Sequence, residues 1–223
     1  MKTVTAHVEF INPPSYETVL DTIEKVGRTC YKSEDMITDN SAEDFVRRLI
    51  KRGHEAMIEH ASVTLRFVND RGVSHEEVRH RIASFGQEST RYCNYSKDKF
   101  DGEVTYIDIE RGMELDATVS RLSQEARLAI IREWMQACLD AEEHYMNMLK
   151  LGATPQIARS VLNNSTKTEL CITMNFRSWR HFIELRYDPA AHPQMREVAE
   201  QALEMLYNKY PVFFEQYVKG EVQ

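Results

Sequence analysis

The chain has 223 residues, enough for one domain with a sizeable core, and its 42% hydrophobic and 28% charged residues match a globular protein. A formal net charge of -7 argues against nucleic acid or an anionic membrane as principal partner, so any anion should meet a local cationic pocket on an acidic protein. Eight glycines and six prolines leave no room for a low-complexity linker, and one domain over residues 1–223 is expected.

The amino-terminal MKTVTAHVEFINPP lacks the apolar run of a signal peptide, and no stretch approaches the roughly 18 apolar residues of a membrane span, which predicts a soluble, cytoplasmic protein. Val4, Ala6, Val8 and Phe10 alternate with Thr3, Thr5, His7 and Glu9, the pattern of one strand with one buried face, closed by Asn12-Pro13-Pro14. Ser15 can cap a helix along which Tyr16, Val19, Leu20, Ile23 and Val26 keep a helical period. A polar loop from Ser33 to Asn40 leads to a second helix, capped by Ser41 and stopping at Gly53.

The segment Gly53 to His60, GHEAMIEH, crowds two histidines and two glutamates together. Zinc peptidases space two histidines as H-E-x-x-H so that both imidazoles meet on one helix face, whereas His54 and His60 diverge, and no metal site is expected. A capped helical turn fits better. Ala61, Val63, Leu65 and Phe67 then alternate as a strand ending in a turn from Asn69 to Gly72.

The densest chemistry lies between Ser74 and Arg91, SHEEVRHRIASFGQESTR. Ser74 with Glu77 is a capping-box pattern, predicting a helix to Ala83 followed by a polar loop from Gln87 to Arg91. As a plain solvated helix face it would pair Glu77 with Arg81 and Glu76 with His80. Further on, Tyr92 to Gly102 reads as loop, Val104 to Ile109 as a short strand, and Asp116 to Lys150 as a long helical region carrying Val119, Leu122, Leu128, Ile131, Met135, Leu139, Tyr145 and Leu149 as packing positions. Gly152 ends it, and Thr154-Pro155 starts a helix that carries Arg159. Thr168 to Phe176 alternates as a half-buried strand and runs into a helix on which Arg177 and His181 share a face, Phe182 and Leu185 turn to the core, and Arg186 closes the end. The carboxyl third, Gln194 to Val218, reads as helix interrupted before Pro211.

Cys30, Cys93, Cys138 and Cys171 are widely spaced, which predicts free and mostly buried thiols rather than a metal knuckle. No G-x-G-x-x-G, Walker lysine loop or G-x-S-x-G occurs. What stands out is guanidinium groups at strand-helix junctions: Arg79, Arg81, Arg91, Arg159, Arg177 and Arg186. Arginine grips phosphate bidentately and stabilises negative charge developing on a carbonyl, which suits a nucleotide together with a phosphate-bearing cofactor.

Four ordered motifs carry a resemblance: Gly53-His54-Glu55 with Glu59-His60; Arg79-His80-Arg81, seven residues, then Ser89 and Arg91; the Arg159 helix; and Asn175-Phe176-Arg177-Ser178 with His181 and Leu185-Arg186. Along most of its length the chain resembles the flavin-dependent thymidylate synthases. The resemblance implies an α+β domain with an antiparallel or mixed sheet flanked by long helices. It also implies a homotetramer with shared active sites, in which FAD reduced by NADPH serves a reductive methylation of dUMP to dTMP, methylenetetrahydrofolate giving the one-carbon unit. On that basis His54, Arg79, His80, Arg81, Gln87, Asn175, Arg177 and His181 are expected at FAD, and Glu76, Arg79, Gln87, Glu88, Ser89, Arg91, Arg159 and Arg186 at dUMP, with Arg186 polarising the pyrimidine. Gln87 stands where many members carry Glu, His181 where some carry Asn, and Asn163 where the family often has Pro. Two other readings of the same arginines are a nucleotide-binding regulatory protein without turnover and a basic-patch nucleic-acid binder, the latter disfavoured by the net charge.

Overall fold

In the computed structural model, which describes residues 1–218, the amino-terminal alternation divides between two sheets. The strands are β1 (Lys2–Val4), β2 (His7–Ile11), β3 (Ser62–Asp70), β4 (Ser84–Gln87), β5 (Thr105–Ile107) and β6 (Lys167–Asn175). β1 pairs in parallel with β5, while β2, β3, β6 and β4 form, in that order, a four-stranded sheet that is antiparallel throughout. One continuous strand was expected from Val4 to Phe10. The chain changes sheets at Thr5-Ala6, where the Gln201 side chain satisfies the backbone: its amide donates to Ala6 O at 3.1 Å and its oxygen accepts from Val8 N at 3.2 Å.

The helices are α1 (Tyr16–Tyr31), α2 (Ser41–Lys51), α3 (Arg71–Glu77), α4 (Glu110–Leu115), α5 (Gln124–Lys150), α6 (Pro155–Ala158), α7 (Phe176–Arg186), α8 (Pro193–Lys209) and α9 (Pro211–Val218). Ser15 caps α1 as expected, its hydroxyl accepting from Thr18 N at 3.1 Å. Ser41 is the first residue of α2 rather than its cap, because its hydroxyl donates across to Glu24 Oε2 at 2.9 Å. Gly27 lets α1 and α2 touch: a Cβ there would lie 2.5 Å from the Phe45 ring. Against one face of the larger sheet, α1, α2, α7, α8 and α9 enclose a core that includes Ile23, Leu65, Phe67, Ile172, Trp179, Phe182 and Phe213. On β6 the predicted alternation holds, with Leu170, Ile172 and Met174 inward.

Three local expectations are corrected. α3 begins at Arg71, not Ser74, because Asp70 is the stronger cap and its Oδ1 accepts from Val73 N at 2.7 Å. The helix stops at Glu77 instead of Ala83. Bonds from Arg79 N to Glu76 O and from His80 N to Glu77 O tighten the chain into a turn, and residues 84–87 then extend as β4 along the free edge of β6. The Asp116–Lys150 region is a helix only from Gln124, capped by Ser123, with the separate α4 before it. Of its eight periodic apolar positions only Tyr145 is buried; Leu128, Met135 and Leu139 are 46%, 40% and 42% exposed. Tyr145, with Tyr95, Val104, Tyr106, Cys138 and Ala158, forms a second small core under α5. All four cysteines are free, but Cys138 alone is fully buried, and Cys30 is exposed.

Candidate active site

Asn175 ends β6 and caps α7, its Oδ1 accepting from Ser178 N at 2.8 Å. One turn apart on α7, Arg177 and His181 share a face, as their spacing predicts. Leu185 continues that face and is 47% exposed, so it lines the site instead of the core. The 79–82 turn lies opposite, and between them is a cleft of about 830 Å³ that brings Arg79, His80, Arg81, Asn175, Arg177, His181 and Arg186 together. The guanidinium groups of Arg79 and Arg81 are exposed here and make no hydrogen bond among the described residues.

Arg186 stands at the inner end of the cleft with its fork engaged. Nε donates to His80 Nε2 at 3.0 Å, Nη1 to Glu76 Oε2 at 3.0 Å, and Nη2 to Glu76 O at 2.8 Å. Glu76 is held from its other side by His192, whose Nδ1 is 3.3 Å from Oε1. The expected helix-surface pairs Glu76 with His80 and Glu77 with Arg81 therefore do not form; Glu77 is buried and bonded by Asn69. Because Arg186 only donates, His80 must accept at Nε2 and carry its proton on Nδ1. Burial, then the nearby charges of Arg186 and His181, push its pKa down to about 4, which keeps the ring neutral. The ring also leans on Phe182, centroid to centroid 4.9 Å.

The remaining predicted residues gather at the opposite end of β4. Gln87 donates to Ser74 Oγ at 2.9 Å and Thr168 Oγ1 at 3.3 Å, which pins the end of the strand rather than the cleft. Glu88 accepts from Tyr95 OH at 2.9 Å and pairs with Lys167 at 3.1 Å. Ser89 starts the turn that follows, Arg159 Nη1 donates to Thr90 Oγ1 at 3.0 Å, and Arg91 is exposed beside the Tyr92 ring. Arg159 itself follows α6 in a 3-10 turn, one residue beyond the helix expected to carry it. His54 is exposed, precedes the 3-10 turn Glu55–His60, and does not line the cleft.

Sequence reasoning passed over the cleft's floor. Arg180 is buried, with Nη1 donating to Phe213 O at 2.6 Å, Nη2 to Gln216 Oε1 at 3.0 Å and Nε to Glu55 Oε1 at 3.2 Å, so it ties the 55–60 turn and α9 to α7. Arg177 pairs with Glu59 at 2.6 Å and approaches Glu55 at 3.6 Å. The four-residue spacing of Glu55 and Glu59 against the three-residue spacing of Arg177 and Arg180 is a complementary signal in the sequence. Tyr217, also lining the cleft, has no such signal. Among the described residues no three His, Cys, Asp or Glu side chains are grouped to hold a metal ion, and no helix is long and apolar enough to cross a membrane.

The family model described as thymidylate synthase complementing protein matches residues 15–212. The chain belongs to that family. Among its relatives, the flavin-dependent thymidylate synthase of Corynebacterium aurimucosum is 32% identical over 202 residues, covering 87% of this chain and 78% of that one. The Mycobacterium tuberculosis protein of the same name is 30% identical over 222 residues, covering 94% of this chain and 86% of that one. A solved relative, the UMP/dUMP methylase PolB from Streptomyces cacaoi bound with 5-Br dUMP, superposes with a TM-score of 0.79 at 26% identity, covering 98% of this chain and 97% of that one. The thymidylate synthase family thus accounts for the α+β fold found here, in agreement with the motif resemblance. It also gives the chain its chemical class, a flavin-dependent methyltransferase.

Proposed function

We propose that this chain is a flavin-dependent thymidylate synthase that converts dUMP to dTMP, with methylenetetrahydrofolate as one-carbon donor and NADPH as reductant through FAD. The observation that carries the reading is the convergence of Arg79, His80, Arg81, Arg177, His181 and Arg186 on one cleft in a chain of this family. A volume of about 830 Å³ is near the upper end of ligand pockets, which span roughly 300–1,000 Å³, as a dinucleotide needs. Arg79 and Arg81 offer guanidinium donors suited to its phosphates, while Asn175, Arg177 and His181 line the wall along α7. When bound, FAD supplies the electrons for reducing the transferred one-carbon unit to a methyl group. Arg186 has five N–H donors, three of them used within the protein, and directs the others at the nucleotide, where they stabilise charge developing on the pyrimidine.

Glu76, Arg79, Gln87, Glu88, Ser89, Arg91, Arg159 and Arg186 are the proposed dUMP residues, and Gln87 and His54 are proposed flavin residues that lie outside this chain's own cleft. Within one chain these lie partly at the far end of β4, which supports sites shared between subunits of a homotetramer. The exposed Leu128, Met135 and Leu139 on α5 provide an apolar face for such an assembly. We read residues 1–223 as one domain acting in the cytoplasm. The purified protein is expected to be yellow, to run in light scattering as more than one chain, and to make dTMP when dUMP, methylenetetrahydrofolate and NADPH are supplied together. A colourless protein that takes up no added FAD under native conditions overturns this reading.

A further inference from the structure

Behind the Glu76-Arg186 contact lies a carboxyl group that the proposed chemistry does not use. Glu77, the last residue of α3, is fully buried, and Asn69 Nδ2 donates to its Oε1 at 2.8 Å. Its Oε2 and the Asn69 Oδ1 are both buried without a hydrogen-bond partner among the described residues. A buried carboxylate oxygen left without a donor would be costly, whereas a proton on Oε2 removes that charge from the interior. The charges that act on Glu77 come from each element around it: Asp70 at the end of β3 and Glu76 on α3 oppose ionisation, and Arg186 on α7 favours it. From α8 and its approach, Gln194 binds Asp70 Oδ2 at 2.9 Å and His192 stands on Glu76. The backbone carbonyl of Glu77 also accepts from His80 N at 3.1 Å, so this residue holds the turn that presents His80.

We propose that Glu77 is a positioning residue kept as a neutral acid, and that its ionisation draws the Arg186 guanidinium away from the nucleotide and toward the interior. The inference rests on the proposed role of Arg186. Burial, reinforced by Asp70 and Glu76, pushes the Glu77 pKa up to about 8, so the neutral form prevails at pH 7 and is lost in alkali.

The test compares wild type with Glu77→Gln, which keeps the shape and cannot ionise. For each, dTMP formation at pH 9 is divided by that at pH 7, which cancels titrations common to both. With a pKa of about 8 the wild-type ratio is expected to be roughly tenfold lower than the variant's. Burial also raises the Glu197 carboxyl, to about 7, so carboxyl carbon NMR on glutamate-labelled wild-type protein, with Glu197→Gln to mark that second glutamate, should show one buried carboxyl titrating near pH 8. Equal ratios, or a Glu77 carboxyl already ionised at pH 7, would overturn the proposal. Should Glu77→Gln fail to fold, the NMR titration of wild type decides alone. Absence of any dTMP from wild type at pH 7 would count against the thymidylate synthase reading instead, and the same titration would still decide the state of Glu77.

Discussion

Replacing Arg186 with lysine keeps the charge and removes the fork, and the structure says what that costs. Arginine spends three of its five donors on His80 Nε2, Glu76 Oε2 and Glu76 O, leaving two for a substrate. Lysine has three donors on one atom, so it cannot satisfy the same acceptors and also reach a nucleotide. At 19% side-chain exposure Arg186 is partly screened, and losing one charge-assisted bond there costs about 1.5–2 kcal/mol of stability. For a chain of this size that lowers the melting temperature by about 3–8 °C, leaving a folded protein. The loss at the transition state is larger. A preorganised donor aimed at a developing anion supplies about 3–4 kcal/mol, so dTMP formation should fall by roughly 10²–10³-fold. The two steps can be separated by following flavin bleaching on mixing with NADPH, then quantifying dTMP chromatographically in a single turnover. Arg186→Lys is expected to bind FAD and bleach at a rate near wild type while making little dTMP. A folded variant whose dTMP yield stays close to wild type would refute the assignment of Arg186.

Two further outcomes follow from the thiols and from His80. Burial pushes the thiols of Cys93 and Cys138 up, away from the thiolate a nucleophile needs, and a variant lacking Cys30, Cys93, Cys138 and Cys171 should retain most methylation. Its stability should fall chiefly through buried Cys138, and normal flavin reduction without dTMP in that variant would point to a covalent route. His80, with its folded pKa lowered to about 4 from 6.5, contributes stability that is present above pH 6.5 and lost as pH falls through 4, on the order of 3 kcal/mol. Glutamine at position 80 can accept the same bond from Arg186 without that titration, so melting curves at pH 4.5 and 7 should differ more for wild type than for His80→Gln; equal differences contradict the buried neutral ring.

The parts of the molecule legible in the sequence are those where one periodicity meets one buried face. β6 alternates because Leu170, Ile172 and Met174 on one of its faces enter the main core, and Arg177 and His181 share a face because four residues make about one helical turn. The stretch from Arg79 to Arg81 reads in the sequence as helix and is a turn in the structure. Ser74 and Glu77 have the letters of a capping box, but Asp70 caps first and Glu77 turns inward to Asn69, a tertiary contact that no local pattern encodes. β4 was hidden for a related reason. All four of its residues are exposed, so nothing in their hydrophobicity announces a strand, and what makes it one is the unpaired edge of β6. On α5 the periodicity was real and its meaning different, since Leu128, Met135 and Leu139 face away from this chain's own core.

β4 and α7 together explain why the candidate residues fall into two groups with Arg186 between them. Four residues of strand separate Arg81's turn from Glu88, about 13 Å at 3.3 Å per residue, and eleven residues of helix carry the chain about 16 Å from Asn175 to Arg186. Both paths start at the same end of the sheet, where Ser84 pairs with Thr173 just before Asn175. Register along β6 therefore governs the distance between the two groups. It is held by the ladder from Ser84 to Gln87, by Glu88 N donating to Glu169 O at 2.9 Å, and by the Gln87 amide bridging Ser74 and Thr168. A slip of one residue would turn Gln87 to the opposite face and release Ser74 on α3, the helix that also carries Glu76. Gln87 is thus tied by hydrogen bonds to the helix whose Glu76 holds Arg186, although it touches neither Arg186 nor the cleft.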